Sequence, residues 1–242
     1  MKIIVYNIAY GTGLNGAWKN YFLRWWRYLW APKNTIKNMA EFLRKENPDV
    51  VCFLETDAGS LRSRFKNQMR VSSDGMELPF ISSAFKYKPK SLRRIMPIMN
   101  KNHNGVLSKK QGKIVNHYLK KGAKKLVIEY INDGISIFIV HLSSFSGRAR
   151  GKQLKEISSI LKDCPRPYLV CGDFNTFKGV KEVEPLIKRH QLALAETGST
   201  FPAHNPKYRL DLAMASKEIT IKDSGVIQSH YSDHLPIYIE IE

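Results

Sequence analysis

The sequence contains few cysteines, no long apolar run and no recognisable leader segment. Its three cysteines, Cys52, Cys164 and Cys171, have neither the even number of a disulfide framework nor the spacing of a metal site. No uninterrupted apolar run approaches membrane-spanning length. The chain begins directly with an apolar strand at residues 2–6, with no signal-like stretch before it. These absences favour a reducing, cytoplasmic setting, with the protein soluble or at most peripheral to a membrane.

Acidic residues are also scarce relative to basic ones. Lys and Arg total 39 against 21 Asp and Glu, which gives a formal net charge of +18. Such an excess attracts polyanions, so nucleic acid is the first expected partner and an anionic membrane or phospholipid is the second. The densest basic stretches are residues 86–94, 109–110 and 120–125, a pattern typical of a solvated basic face or of a polyanion-binding surface.

Linkers and internal repeats are missing as well. The hydrophobic share of 43% is ample for a core, and no Pro-, Gly- or Ser-rich segment divides the chain. Strands are predicted at residues 2–8, 49–54, 104–108, 126–130, 135–140, 168–171, 209–215, 219–226 and 235–241, and helices at 34–45, 148–161 and 180–190. Intermixed strands and helices predict a single α/β domain over residues 1–242, and we expect a monomer.

All four tryptophans fall within residues 18–30, which we call the aromatic segment, and Lys19, Arg24 and Arg27 are interleaved with them. Aromatic and arginine side chains in this pattern can stack on nucleic-acid bases or lie at a bilayer interface. A helix that packs its aromatic residues on the protein's own core is the third interpretation. The sequence does not separate the three.

Polar side chains end or adjoin apolar runs at seven places along the chain. The clearest place is residues 168–176, where a short buried strand ends in Gly172, Asp173 and Asn175. The full set comprises Asn7, Glu55, His141, Asp173, Asn175, Asp211 and the Ser232-Asp233-His234 triplet. If these strand ends share one rim, they supply what phosphodiester hydrolysis needs: carboxylates for a hard divalent cation, a carboxylate that orients water, and imidazole or amide donors for charge on phosphorus.

The order and content of these motifs resemble the endonuclease/exonuclease/phosphatase superfamily of metal-dependent phosphohydrolases. The matching pieces span nearly the whole chain and are Tyr6-Asn7-Ile8, Leu54-Glu55-Thr56, Val140-His141-Leu142, Gly172-Asp173-Phe174-Asn175, Tyr208-Arg209-Leu210-Asp211 and Ser232-Asp233-His234. The resemblance implies a four-layer α/β/β/α sandwich of two packed, mostly antiparallel sheets flanked by helices. It also implies that the site lies at one edge of the paired sheets.

The resemblance implies a divalent metal and a water-activating carboxylate. Mg²⁺ or Mn²⁺ would bind to Glu55, with Asn7 and Asp233 nearby. Asp173 would position or deprotonate the attacking water, and Asn175 would hold a phosphate oxygen.

Two imidazoles complete the set that the resemblance implies. His234 would contact the scissile phosphate, and Asp211 would orient it or keep it charged, since a partner carboxylate favours imidazolium. His141 would be a second imidazole that acts on the phosphate or on the leaving group.

Two positions bear on the branch of the family. Ala9 stands where many nuclease members have a second polar residue, so one metal contact is missing. His141 disfavours the abasic-site repair branch, and a histidine here is similar to what deoxyribonuclease- and sphingomyelinase-like members have.

We therefore predict a metal-dependent nuclease that acts on DNA or RNA. The alternative is a sphingomyelinase-like or other lipid or small-molecule phosphodiesterase that docks on membranes through the aromatic segment, and an inactive binding module is the third hypothesis.

Overall fold

The computed structural model describes residues 1–87, 91 and 96–242, so most of the basic stretch 86–94 lies outside the described residues. Within them, twelve β-strands form two six-stranded sheets. Helices cover the outer face of each sheet.

The strands are β1 Lys2–Asn7, β2 Val50–Asp57, β3 Phe80–Phe85, β4 Asn102–Ser108, β5 Lys113–Tyr118, β6 Leu126–Asn132, β7 Ile135–His141, β8 Tyr168–Asp173, β9 Ala193–Leu194, β10 Asp211–Ala215, β11 Ile221–Val226 and β12 Ile237–Ile241. The α-helices are α1 Trp18–Leu23, α2 Thr35–Arg44, α3 Gln68–Met76, α4 Gly147–Asp163 and α5 Glu184–His190. Short 3-10 turns lie at Ala9–Gly11, Trp25–Tyr28 and Val180–Glu182.

Each sheet has one parallel strand pair at its centre. The strand order is β11-β12-β1-β2-β4-β3 in the first sheet and β5-β6-β7-β8-β10-β9 in the second. β1 runs parallel to β2 and β7 runs parallel to β8, whereas the other neighbours are antiparallel. The carboxyl ends of each central pair therefore reach the same edge of their sheet.

The apolar runs of the central strands are buried on both faces, as expected for strands covered on each side. Between the sheets, Val5 and Cys52 belong to the same core as Ile139 and Cys171. A second core joins the outer face of the first sheet to α2 and α3, and a third joins the outer face of the second sheet to α4 and α5. These layers confirm the predicted α/β/β/α sandwich of mostly antiparallel sheets.

Some predicted boundaries were wrong for local reasons. β2 continues past Glu55 to Asp57, because a register shift between Phe53 and Thr56 lets the strand absorb an extra residue. The predicted helix at 180–190 is a 3-10 turn followed by α5, whose first turn contains Pro185. Proline has no amide N–H and cannot continue a preceding helix, so the helix restarts there.

The aromatic segment does not pack its tryptophans on the protein's core, so that interpretation was wrong. α1 and the 3-10 turn Trp25–Tyr28 contain no buried residue, and all four indoles are exposed. α1 is six residues long and ends at Leu23, because the φ of −128° at the following Arg24 is not helical. So short a helix presents no continuous face that could pack on a sheet.

Among the described residues, no helix combines the length and the apolar character that crossing a membrane requires.

Candidate active site

The fold brings the predicted polar residues to one edge of the two sheets. Asn7 ends β1 and Glu55 lies near the end of β2, while His141 and Asp173 end β7 and β8. Asp211 begins β10 directly opposite Asp173, because β10 and β8 are antiparallel.

The loop with Asp233 and His234 reaches the same edge, because it precedes β12, the antiparallel neighbour of β1. Ser232 Oγ in this loop donates to the carbonyl of Asn7 at 2.7 Å, which ties the loop to the end of β1.

Asp173 is the buried centre of this cluster. Its Oδ2 accepts from Asn7 Nδ2 at 3.1 Å and lies 3.2 Å from His141 Nε2, and its Oδ1 accepts from the backbone N–H of Asn175 at 2.9 Å. Burial alone would raise its pKa, but His234 and His141 outweigh burial and hold the pKa of Asp173 well below the usual range. Asp173 is therefore a fixed carboxylate.

The glycine before Asp173 is required by close packing. Gly172 has a φ of +139°, and a Cβ at this position would lie 1.9 Å from the carbonyl oxygen of Val140 on β7. The absence of a side chain lets β8 approach β7 closely and brings Asp173 beside His141.

Asn175 turns the chain immediately after Asp173. Its φ of 52° is in the left-handed region, which asparagine tolerates better than most residues. Its Nδ2 donates to the carbonyl of Leu142 at 3.0 Å. One amide hydrogen thus holds the loop in place, and the amide carries a second hydrogen that can donate to another acceptor.

Glu55 lies on a β-bulge and faces cations. Its φ is 55°, and its backbone N–H donates to Asn104 Oδ1 at 3.1 Å. Its Oε1 lies 3.3 Å from Lys86 Nζ, 3.7 Å from Lys124 Nζ and 3.7 Å from His141 Nε2. Burial would raise the pKa of Glu55, but the two lysines and His141 hold it well below its usual range. The bulge thus aims a half-buried carboxylate at a cluster of positive groups.

The surroundings of His141 favour its neutral imidazole form. Burial, followed by Lys124 and Lys86, lowers its pKa to about 4, and Asp173 opposes the shift. Its Nε2 also contacts Lys124 Nζ closely. Within the described residues its buried Nδ1 has no hydrogen-bond partner.

His234 is held as a cation by a buried carboxylate. Its Nδ1 lies 2.7 Å from Asp211 Oδ2, which also accepts from Thr200 Oγ1 at 2.5 Å. Burial lowers the pKa of His234, but Asp211 and Asp173 raise it more, to about 10. Burial raises the pKa of Asp211, and the imidazolium opposes that rise. The other ring nitrogen, Nε2, lies 4.0 Å from Asp173 Oδ2.

The side-chain types at this edge are those that a hard divalent cation prefers. Glu55 and Asp233 offer carboxylate oxygens and Asn7 offers an amide oxygen, which are the atoms that Mg²⁺ prefers. A second set, Asp173, Asp211 and His234, has ligand atoms within 4.8 Å of one another. In that set His234 Nδ1 is bonded to Asp211 Oδ2, whereas the buried Asp211 Oδ1 has no hydrogen-bond partner among the described residues.

Sequence reasoning missed the lysines of the site. Lys86 is buried, and its Nζ donates to the hydroxyl of Tyr10 at 2.8 Å as well as facing Glu55. It follows β3, which runs in the same direction as β2 because both are antiparallel to β4 between them. Lys124 precedes β6, whose start lies beside the end of β7. The basic stretches were interpreted as solvated or polyanion-binding surface, and only strand order reveals that these two lysines face inward.

Two tyrosines at the edge were also missed. Tyr10 is half-buried, and the cations of Arg62 and Lys86 lie 4.0 Å and 5.1 Å from the centroid of its ring. Tyr21 belongs to the aromatic segment and donates to Asp233 Oδ2 at 2.6 Å. No spacing in the sequence links Tyr21 to a residue 212 positions later.

The fold and the polar cluster together define a class of phosphoester hydrolase, and comparison with known proteins gives the family. The profile described as "Endonuclease/Exonuclease/phosphatase family" matches residues 6–234. The chain therefore belongs to the endonuclease/exonuclease/phosphatase family, whose members act on phosphoesters and generally use divalent metals. Comparison with curated proteins gave no match.

Several solved structures share the fold. A functionally unknown conserved protein from Enterococcus faecalis V583 has a TM-score of 0.74 at 17% identity, covering 100% of this chain and 99% of its own. Beta toxin from Staphylococcus aureus gives 0.70 at 16% identity, covering 99% of each chain. A mannosyl-6-phosphatase from Bacteroides thetaiotaomicron VPI-5482 gives 0.68 at 12% identity, covering 100% of this chain and 99% of its own. At these identities the likeness concerns the fold.

Proposed function

We propose that this protein is a Mg²⁺-dependent phosphodiester hydrolase, with nucleic acid as the first candidate substrate. The observation that carries the proposal is the Asp173 carboxylate, which the Asn7 side chain and the Asn175 backbone hold between the imidazoles of His141 and His234. A general base must be ionised and held in place, and Asp173 meets both conditions.

Asp173 would orient the attacking water and take its proton as the new oxygen–phosphorus bond forms. Asn7 and the Asn175 backbone each occupy one lone pair of the carboxylate. The fixed orientation means that little rearrangement is needed when the water attacks, which is where positioning lowers a barrier.

Cationic and neutral donors would stabilise charge on the phosphoryl oxygens. His234 is held by its bond to Asp211, and Lys86 and Lys124 point into the same edge. Preorganised donors in a buried site are among the largest contributions to phosphoryl transfer. His141 faces both Asp173 and Glu55, so it is placed to act on the phosphate or on the leaving oxygen.

Glu55, with Asn7 and Asp233, would hold the Mg²⁺. A bound divalent ion supplies Lewis-acid polarisation of a phosphoryl oxygen. Lys86 Nζ and Lys124 Nζ lie 3.3 and 3.7 Å from Glu55 Oε1, so this carboxylate already stands among positive groups.

The net charge of +18 supports a nucleic-acid substrate, because cationic surfaces attract a phosphate backbone. Nucleic-acid binding of this kind weakens steeply with salt, since bound counterions are released. We expect the KM for a nucleic-acid substrate to rise at least about tenfold between 50 and 200 mM NaCl.

A phospholipid or other lipid phosphodiester is the second candidate substrate. The specific observation that favours it is that all four tryptophans of the aromatic segment are exposed. Tyr21 of the same segment donates to Asp233 at the site. The mannosyl-6-phosphatase with the same fold also makes a small phosphoester a substrate to include in the assay.

The test is a substrate panel in Mg²⁺ with plasmid DNA, single-stranded RNA, sphingomyelin, phosphoinositides and mannose 6-phosphate. Asp173→Asn is the variant, and Asp133→Asn, on an exposed turn, is the matched control. We expect diester hydrolysis that Asp173→Asn abolishes and Asp133→Asn retains. Hydrolysis unchanged in Asp173→Asn, or cleavage of monoesters alone, would contradict the proposed function, and cleavage of lipid alone would contradict the nuclease assignment.

A further inference from the structure

We propose that the aromatic segment docks the protein on an anionic phospholipid bilayer. The docking surface comprises Trp18, Phe22, Leu23, Trp25 and Trp26, together with the neighbouring Lys19 and Arg24. It lies outside both helical layers and next to the candidate active site. The docking itself does not depend on catalysis.

The apolar side chains of this surface are exposed to an unusual degree. Phe22 is 78% exposed, Trp18 73%, Leu23 68% and Trp25 61%. A contiguous group of large apolar side chains on a protein surface marks a site of interaction with a partner or a membrane.

The exposed side chains are carried on a fixed backbone. Tyr21 and Tyr28 are half-buried and stack with ring centroids 6.5 Å apart, and Tyr21 donates to Asp233 at 2.6 Å. Arg27 Nη1 donates to the carbonyls of Thr12 at 3.4 Å and Gly13 at 3.2 Å. These contacts hold the inner side of the segment on the protein, so the exposed side chains project from a backbone that is fixed in position.

The charge of this part of the chain suits an anionic lipid surface. No acidic residue precedes Glu41, whereas Lys19 and Arg24 flank the exposed rings and are themselves exposed. Basic residues near a bilayer are attracted to anionic headgroups, and long basic side chains can bury their stems while their charges reach the headgroups. Tryptophan favours this same interfacial depth.

The contacts of the indole rings favour a bilayer over nucleic-acid bases. Arg27 lies over the Trp26 ring at 5.7 Å, Arg64 over Trp30 at 4.5 Å and Lys19 near Trp18 at 5.9 Å. A base that stacked on these rings would compete with cations of the protein itself. Leu23, one of the most exposed residues, has no ring on which a base could stack, but it can insert among acyl chains.

Docking would bring lipid headgroups to the site. The hydrogen bond from Tyr21 to Asp233 joins the segment directly to the loop that carries His234. A bilayer on the outer face of the segment therefore lies beside the edge that carries Asp173. The consequence that a lipid phosphodiester is the substrate rests on the proposed function, whereas the docking does not.

The test uses the intact chain in EDTA, so that hydrolysis does not contribute. Vesicles contain phosphatidylglycerol and phosphatidylcholine in a 3:7 ratio, or phosphatidylcholine alone. Since all four tryptophans lie in the segment, intrinsic fluorescence reports on it specifically. We expect a blue shift and co-sedimentation with the anionic vesicles, both weakened in 0.5 M NaCl because salt screens the headgroup charge.

Variants separate this surface from non-specific adsorption. Phe22→Ala and Trp25→Ala together should lower the partition coefficient on anionic vesicles at least about tenfold, since binding scales with buried apolar area. Phe80→Ala is the control, because Phe80 is an exposed phenylalanine at the start of β3, at the opposite end of the sheet from Glu55. It should leave partitioning unchanged.

Absence of binding to anionic vesicles would overturn the proposal, as would an equal loss in the Phe80→Ala variant. Quenching of the tryptophans by single-stranded DNA without any vesicle binding would overturn it in favour of base stacking. Hydrolysis of the soluble diester bis(4-nitrophenyl) phosphate in Mg²⁺ is measured separately, without vesicles. Its failure would count against the proposed function and leave the docking result standing.

Discussion

Both sheets end their central parallel strand pair in polar residues, but they hold those residues differently. In the second sheet, Asp173 accepts from the Asn175 backbone at 2.9 Å and from Asn7 Nδ2 at 3.1 Å, and it is almost completely buried. In the first sheet, Glu55 faces the ammonium groups of Lys86 and Lys124 at 3.3 and 3.7 Å. A rigid carboxylate suits a base that must point at one water, whereas a carboxylate placed among cations suits a position that holds positive charge, as a metal-binding position does.

The backbone conformation also differs between the strand end that carries Asp173 and the one that carries Glu55. Gly172 allows β8 to approach β7 closely, while a β-bulge places Glu55 away from a regular ladder position. The glycine brings two strands closer together, whereas the bulge changes the direction of a side chain. Under the proposed function, the second sheet would supply the water-activating carboxylate and the first sheet the metal-binding carboxylate, both at the same edge.

The largest expected effect comes from breaking the second sheet's packing. Gly172→Ala places a Cβ 1.9 Å from the carbonyl of Val140 at a positive φ, so we expect the free energy of unfolding to fall by at least about 4 kcal/mol. Gly151→Ala, in α4 with no neighbour within 4 Å of the added Cβ, is the control and should raise it by up to about 1 kcal/mol. Urea unfolding measures both, and equal values for the two variants would contradict the packing argument.

Removal of the fixed carboxylate tests its chemical role. Asp173→Asn keeps the size of the side chain and removes the base, so we expect kcat to fall about 10³-fold or more. The measurement is steady-state hydrolysis of whichever substrate the panel identifies, with urea unfolding to establish that the variant is folded. A kcat within threefold of the parent would show that Asp173 is not the base.

Acid should destabilise the first sheet through His103 on β4. Burial lowers the pKa of His103 to about 4, so the folded chain binds its proton less readily than the unfolded chain does. Its contribution to stability is complete above pH 6.5 and is lost as the pH falls towards 4, by about 2 to 3 kcal/mol. Urea unfolding between pH 7.5 and 4 should show this slope in the parent and a flatter one in His103→Asn. Identical slopes would contradict the prediction.

The two missed lysines should have smaller effects on rate. Lys86→Met and Lys124→Met each remove one cation that faces Glu55, and we expect kcat/KM to fall about 10- to 100-fold in each. Lys110→Met is the matched control, because Lys110 is exposed and pairs with Asp133 at 2.8 Å. If Lys110→Met lowers kcat/KM as much as the other two do, the lysines act only through the net charge.

The central strands could be predicted because their apolar runs are long and end abruptly. The hairpin of β6 and β7 is an example, with Asn132, Asp133 and Gly134 at its turn. β3 was not predicted, since its sequence FISSAF includes two serines and much of the strand is exposed at the sheet edge. Local pattern cannot identify a strand that is stabilised chiefly by its single neighbour.

The acids, amides and imidazoles of the site could be assigned from their positions at strand ends, but the supporting contacts could not. Lys86 enters the site through strand order, and Tyr21 through a contact with Asp233 that spans 212 positions. The sequence does not decide whether the tryptophans of the aromatic segment pack on the core, and the reason is related. Whether an indole is exposed depends on which surface the rest of the chain leaves uncovered, and composition does not specify that.

The central proposal is that Glu55 on the first sheet binds the metal and Asp173 on the second sheet activates the water. The most direct test compares Glu55→Gln and Asp173→Asn in two measurements, which are the rate as a function of Mg²⁺ concentration and the binding of Mn²⁺ by calorimetry. We predict that Glu55→Gln weakens metal binding about 10- to 100-fold and regains rate at high Mg²⁺, while Asp173→Asn keeps the parent's metal affinity and stays slow at any concentration. Weakened metal binding in Asp173→Asn, together with unchanged binding in Glu55→Gln, would contradict the account.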